Sequence, residues 1–189
     1  ALPSEAQWEY ACRAGSTEIF HTGDDPAMLD ALAWYRTNDR VLTPKPVGEY
    51  QANPFGLHDM YGNVWEWCAD WFAEDYYAHS PVEDPLGPES GTFRVIRGGC
   101  ANDGPEFCRS ASRFGSPLDR AGLMGFRVTM SIDLTDVRGS RGSYSASDSD
   151  KASLIRPENG WIDVLSIINV SQDAENEGWQ RDDRGIVRV

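Results

Sequence analysis

The sequence predicts an α+β domain over residues 1–130 with much irregular backbone, and three observations carry that prediction. One well-capped helix opens the chain near Ser4. The strand candidates that follow are few and short, with one closed by a glycine turn, FRVIRGG up to Gly99, and a last one at GFRV, 125–128. The chain is also dense in turn-formers and aromatic bulk, with 18 Gly, 11 Pro and 7 Trp in 189 residues. Its backbone must therefore turn often around a few large anchors.

Each element has a local reason. Ser4 and Gln7 have the spacing of a capping box, Glu5 suits the first-turn dipole, and Gly15 stops the helix. Trp8 and Cys12, four apart, share the face meant for the core. Residues 16–52 read as loops punctuated by Gly23-Asp24-Asp25-Pro26 and Pro44-Lys45-Pro46, with a short helix from Pro26 to Trp34. The central stretch, NPFGLHDMYGNVWEWCADW at 53–71, places Trp65, Trp67 and Trp71 directly after Asp59, Asn63 and beside Glu66. Aromatics of this size must anchor a core, and buried carboxylates beside them need a hydrogen-bond or metal partner. Residues 72–92 form a long surface excursion, and Cys100–Arg113 a loop. Arg113 and Arg127 read as buried structural cations serving the surplus of carboxylates.

Beyond residue 130 the character changes. Residues 131–156 read as a linker, centred on the serine- and glycine-rich GSRGSYSASDSD at 139–150. Residues 157–189, with the apolar WIDVLSIINV and a terminal GIVRV, read as the start of a possible β-rich module.

Charge and cysteines exclude several functions. A net charge of −13 argues against a nucleic-acid partner and suits cation binding, solubility or a basic partner. No apolar run approaches the roughly 18–20 residues of a membrane span. The four cysteines, Cys12, Cys68, Cys100 and Cys108, contain no CxxC pair, which argues against a zinc or thioredoxin-type site, and sequence alone does not choose their pairing.

Three pieces in order, LPSEAQWEYACRAG (2–15), NPFGLHDMYGNVWEWCADW (53–71) and FRVIRGGC…CRSASR…GFRV (93–128), resemble the second half of the domain of formylglycine-generating enzymes, the sulfatase-modifying factors. The resemblance implies a C-type-lectin-like fold, with further N-terminal strands preceding Ala1. No targeting segment is visible, and the compartment stays open. By the same resemblance, a structural calcium falls on the side chains of Asp59 and Glu66 and the backbone carbonyls of Gly62 and Val64, a hard-oxygen set that calcium accepts. The alternative is that Asp59 caps a turn and Glu66 pairs with an arginine. A remnant of a first calcium site would fall at Asn38 or Asp39. A family disulfide tying the YACRAG helix to the CRSASR region points to Cys12 and Cys108, although Ser110 occupies the aligned position.

The family's chemistry is oxidation of a substrate cysteine to formylglycine with oxygen and copper(I), held by two cysteines after the Gly98-Gly99 turn. Counting from that turn and back from Arg113, those positions hold Asp103 and Pro105, and neither is a Cu(I) ligand. Copper is therefore not expected. An iron-binding histidine triad of the related sulfoxide synthases is also not expected, since only His21, His58 and His79 exist. Two readings follow: a calcium-stabilised binding or accessory module, or a divergent formylglycine-generating oxidase. For the first, the binding surface falls on Asn102, Asp103, Glu106 and Phe107, with Trp65 beside them, and its ligand is a protein, a peptide or a small polar molecule.

Overall fold

The computed structural model describes residues 1–36 and 43–129, together with the short strands at 180–181 and 187–188. Helix α1 spans Glu5–Arg13. Its capping box forms in full: Ser4 Oγ accepts the Gln7 N–H at 3.2 Å, and Gln7 Oε1 accepts the Ser4 N–H at 2.9 Å. Such a cap contributes about 1 kcal/mol. The helix ends one residue before the expected stop, because Ala14 itself takes the left-handed conformation and returns its N–H to the Tyr10 carbonyl. The short helix expected from Pro26 to Trp34 is a 3₁₀ helix, Pro26–Ala31, capped by the Asp25 side chain.

Four strands make the main sheet: β1 Trp65–Trp71, β2 Arg94–Arg97, β3 Arg113–Ser116 and β4 Met124–Phe126, in the order β3-β2-β1-β4. The β2 contacts to β1 and β3 are antiparallel, whereas β4 runs parallel to β1. A second, two-stranded antiparallel sheet pairs β5, Gln180–Arg181, with β6, Val187–Arg188. The expected linker and WIDVLSIINV lie outside the described residues, as do Asn38 and Asp39. No helix among the described residues is long and apolar enough to cross a membrane.

The register sorts the sheet residues into two transverse rows, since directly paired residues share a face and neighbours along a strand do not. One row is Arg113, Arg97, Glu66 and Gly125. It faces α1, where Trp8, Cys12, Cys68 and Val95 are fully buried together in the main core. Arg113 grips Glu5 with both nitrogens at 2.7 and 2.8 Å, and Arg97 pairs with Glu9. Arg113 is partly exposed and Arg127 buried, so both serve as the structural cations that their carboxylate neighbours demanded.

The other row is Phe114, Ile96, Trp67 and Phe126. It carries a smaller cluster in which Trp65, Ile96 and Cys100 are buried and Trp67, Phe107, Leu123 and Met124 are partly covered. Phe114 and Phe126 remain 41% and 66% exposed. Of the three central tryptophans, only Trp65 is buried; Trp67 and Trp71 are half-covered, Trp71 by the Arg94 guanidinium 3.6 Å from its ring centre.

Candidate functional site

The turn ahead of β1 folds the two expected carboxylates towards one another. Asp59, Gly62 and Asn63 have φ of 56°, 69° and 58°. Gly62 has no alternative, since a Cβ there would fall 2.1 Å from the Trp34 carbonyl oxygen. Asn63 tolerates the left-handed region because its side chain is tied at both ends to the Lys45 backbone.

Asp59 is buried. Its Oδ2 accepts the Gly48 N–H at 2.7 Å, and its Oδ1 is buried without a hydrogen-bond partner. Burial pushes its carboxyl up, with the Gly48 N–H and then the charges of His58 and Arg127 opposing. Glu66 is fully engaged from two sides: Oε2 accepts from Trp8 Nε1 at 2.6 Å and Arg127 Nε at 2.5 Å, and Oε1 accepts from Arg127 Nη2 at 2.8 Å. The same Nη2 reaches the carbonyls of His58 and Asp59 at 3.2 and 3.4 Å. The arginine pairing of Glu66 is thus present. For a hard cation the set fits through one oxygen, the orphaned Asp59 Oδ1, while Glu66 already shares its charge with Arg127. Among the described residues, no three or more His, Cys, Asp or Glu side chains converge as a metal centre.

In the loop after β2, Asp103 turns inward. Its Oδ2 accepts the Cys100 N–H at 3.1 Å and the Cys100 thiol at 3.0 Å, and its carbonyl accepts the Arg36 N–H. Asn102 Oδ1 is buried without a hydrogen-bond partner, and Glu106 is exposed. Phe107 lies 5.6 Å from Phe114, whose ring meets Trp65 edge-on at 5.2 Å. Beside this aromatic run lies a shallow depression of about 280 Å³, walled by Glu106, Phe107, Arg109, Ser112, Arg113 and Phe114. The structure therefore joins Glu106 and Phe107 into one surface and extends it to Phe114, Trp67 and Phe126, whereas Trp65, expected on that surface, is buried behind Phe114 in the cluster. The residues of that row are spread over four separate strands, so no local signal marks them beyond the outward Phe in RFGS and MGF.

The disulfide expected between Cys12 and Cys108 is absent: all four cysteines are buried free thiols. Cys12 instead sits against the hydroxyls of Tyr61 and Ser110, which bond one another at 3.0 Å. The position that faces the helix is thus Ser110, a residue without sulfur. Burial pushes the Cys12 thiol up to about 11; burial, and next Asp103, push Cys100 to about 12. Cys68 and Cys108 are raised as well, chiefly by burial. None is a ready thiolate at neutral pH. His58 holds the Tyr50 carbonyl through Nδ1 at 2.8 Å, a packing role.

Comparison with known proteins follows the same outline. The description "Sulfatase-modifying factor enzyme 1-like domain" matches residues 1–132. The formylglycine-generating enzyme of Streptomyces coelicolor is 38% identical over 152 residues, covering 71% of this chain and 48% of that protein. The serine/threonine-protein kinase pkn1 of Chlamydia caviae is 41% identical over 135 residues, covering 69% of this chain and 21% of that protein. Among solved structures, Treponema denticola variable protein 1 shares 36% identity at a TM-score of 0.62, covering 67% of this chain and 45% of that one. PvdO from Pseudomonas aeruginosa shares 32% at 0.59, covering 67% and 50%. The chain spans about half the length of the formylglycine-generating enzyme it matches. With the helix, the Trp-rich strand and the closing GFRV all inside the matched region, this chain belongs to the sulfatase-modifying factor enzyme 1-like domain family.

Proposed function

We propose that the domain is a calcium-stabilised binding or accessory module, built on the C-type-lectin-like scaffold and lacking the copper oxidase site. The observation that carries this reading is the row Phe114–Ile96–Trp67–Phe126, open at its two phenylalanines, which continues into the Phe107 loop where copper-binding thiolates would be needed. There Asp103 is spent on holding Cys100, and Pro105 offers no ligand. The match to a protein named as a kinase, over only 21% of its length, supports a domain used alongside other chemistry. The partner is a protein, a peptide or a small polar ligand, contacted through Asn102, Glu106, Phe107 and Phe114, with the buried Trp65 packed against Phe114 as its support. Calcium would be structural, held by Asp59 Oδ1, Glu66 and the carbonyls of Gly62 and Val64, and would add stability by binding only the folded state.

The experiment has two arms. The chain is incubated with copper(I), oxygen and a peptide containing CxPxR, and mass spectrometry looks for conversion of cysteine to formylglycine. No conversion is expected. Turnover that disappears in Cys100→Ser or Cys108→Ser would establish the alternative, a divergent formylglycine-generating oxidase with a relocated copper site. In the second arm, a chelator should lower the melting temperature of the chain but leave Asp59→Ala unmoved. Equal melting of the unmodified chain before and after verified metal removal would defeat the calcium assignment.

A further inference from the structure

We infer that Asp70 is a proton-binding device: its buried carboxyl takes up a proton in mildly acidic solution and so strengthens the junction between α1 and the 72–92 excursion. Asp70 is only 2% exposed. Its Oδ2 accepts the Glu5 N–H at 2.7 Å, at the first turn of α1. Its Oδ1 is buried with no hydrogen-bond partner. Gly87 of the excursion closes over it so tightly that a Cβ there would lie 2.8 Å from Asp70 Cβ and 3.1 Å from Oδ1. A buried carboxylate with one lone acceptor idle is costly when ionised and much less so when protonated.

The surrounding cations are committed elsewhere. From β3, Arg113 binds both oxygens of Glu5 and the Ala73 and Glu74 carbonyls. From β2, Arg97 binds Glu9 and the Ser110 and Ser112 carbonyls, with Glu5 3.6 Å away. From α1, Glu5 is itself 1% exposed and repels a second negative charge. Glu9 lies further along the same helix, Tyr77 belongs to the excursion, and Cys68 shares the strand as a neutral thiol. The Glu5 N–H at the helix N-terminus, Asp70's own N–H and the more distant charge of Arg113 are the favourable features left to an ionised Asp70.

These features agree with the direction of its titration. Burial raises the Asp70 carboxyl from its ordinary 3.8 to about 6, with the Glu5 N–H and Arg113 opposing and the Glu5 charge adding to the rise. Between those values the folded chain holds a proton that the unfolded chain has lost. The stabilisation is complete below the ordinary 3.8, declines above it and is lost as pH rises through about 6. Asp59 acts in the same direction, and His21, lowered by burial, in the opposite one.

The test is the melting temperature of the full chain from pH 5 to 8, beside Asp70→Asn and Asp59→Asn. The unmodified chain should melt higher at pH 5.5 than at 7.5, Asp59→Asn should keep most of that difference, and Asp70→Asn should lose most of it. Infrared spectra of Asp59→Asn should show a protonated-carboxyl band that fades as pH rises through about 6, and Asp70→Asn should lack it. Parallel pH profiles in all three would overturn the inference. If Asp70→Asn does not fold, the Asp59→Asn band decides alone, and its absence is the overturning result.

Discussion

The two faces of the main sheet are cut from alternate residues of the same four strands, and they solve opposite problems. The face towards α1 buries charge: Arg113, Arg97 and Glu66 lie in one row, each answered by Glu5, Glu9, Trp8 or Arg127. The opposite face buries little and leaves Phe114 and Phe126 open. Phe114 and Phe126 are therefore more exposed than Arg97 and Glu66 in the same sheet. What separates the faces is completeness of partnership. The charged row is nearly closed within the domain, whereas the aromatic row has no such closure among the described residues.

That contrast can be broken first from the charged side. Arg127→Met should leave Glu66 buried with Trp8 as its remaining donor and cost about 3–5 kcal/mol, the usual effect of removing one partner of a buried pair. A urea titration would read this as a lower midpoint; an unchanged midpoint would mean that Glu66 is neutralised by something other than Arg127. A milder probe is Trp8→Phe, which keeps an aromatic ring in the core while removing the N–H to Glu66 and part of the buried indole. It should cost about 1.5–3 kcal/mol, as for a hydrogen bond to a charged group. The smallest stability effect is expected on the aromatic side, where Phe114→Ser with Phe126→Ser should shift stability by roughly 0.5 kcal/mol or less, as exposed positions do. A large loss from that pair would show that these rings support the core, and the binding surface would then need another location.

Much of the charged side was legible in the sequence. The capping box of α1 was readable from Ser4 and Gln7, and Arg113 and Arg127 were recognisable as structural cations because carboxylates so outnumber bases, although only Arg127 is fully buried. Their partners were not readable, since Arg127 and Glu66 are 61 residues apart and nothing local links them. The aromatic row was hidden for a different reason. Strands of three or four residues contain too few alternations to assign a face, so its membership is set by pairing across β3, β2, β1 and β4. The tryptophan-rich stretch misled in part: its bulk implied three core anchors, but Trp65 and Trp67, two apart, both sit on the half-open face, where only Trp65 is fully covered. The pairing of Cys12 with Cys108 went against a signal the sequence did carry, since Ser110 stands at the aligned position and is the group that sits beside Cys12.

One link ties residues 8, 66 and 127, with sequence separations of 58 and 61. Its kinetic meaning is that β1 cannot be locked when it is synthesised. One edge must await β2 and the other must await β4, which arrives last and lies parallel to it. Contacts this distant in sequence delay the rate-limiting step, since loop closure comes before most of the reward. On a ribosome, the central strand would leave the exit tunnel with Glu66 still lacking the guanidinium that neutralises it. The nascent domain should thus remain open to proteases and chaperones until residue 127 has emerged, and then close in one cooperative event.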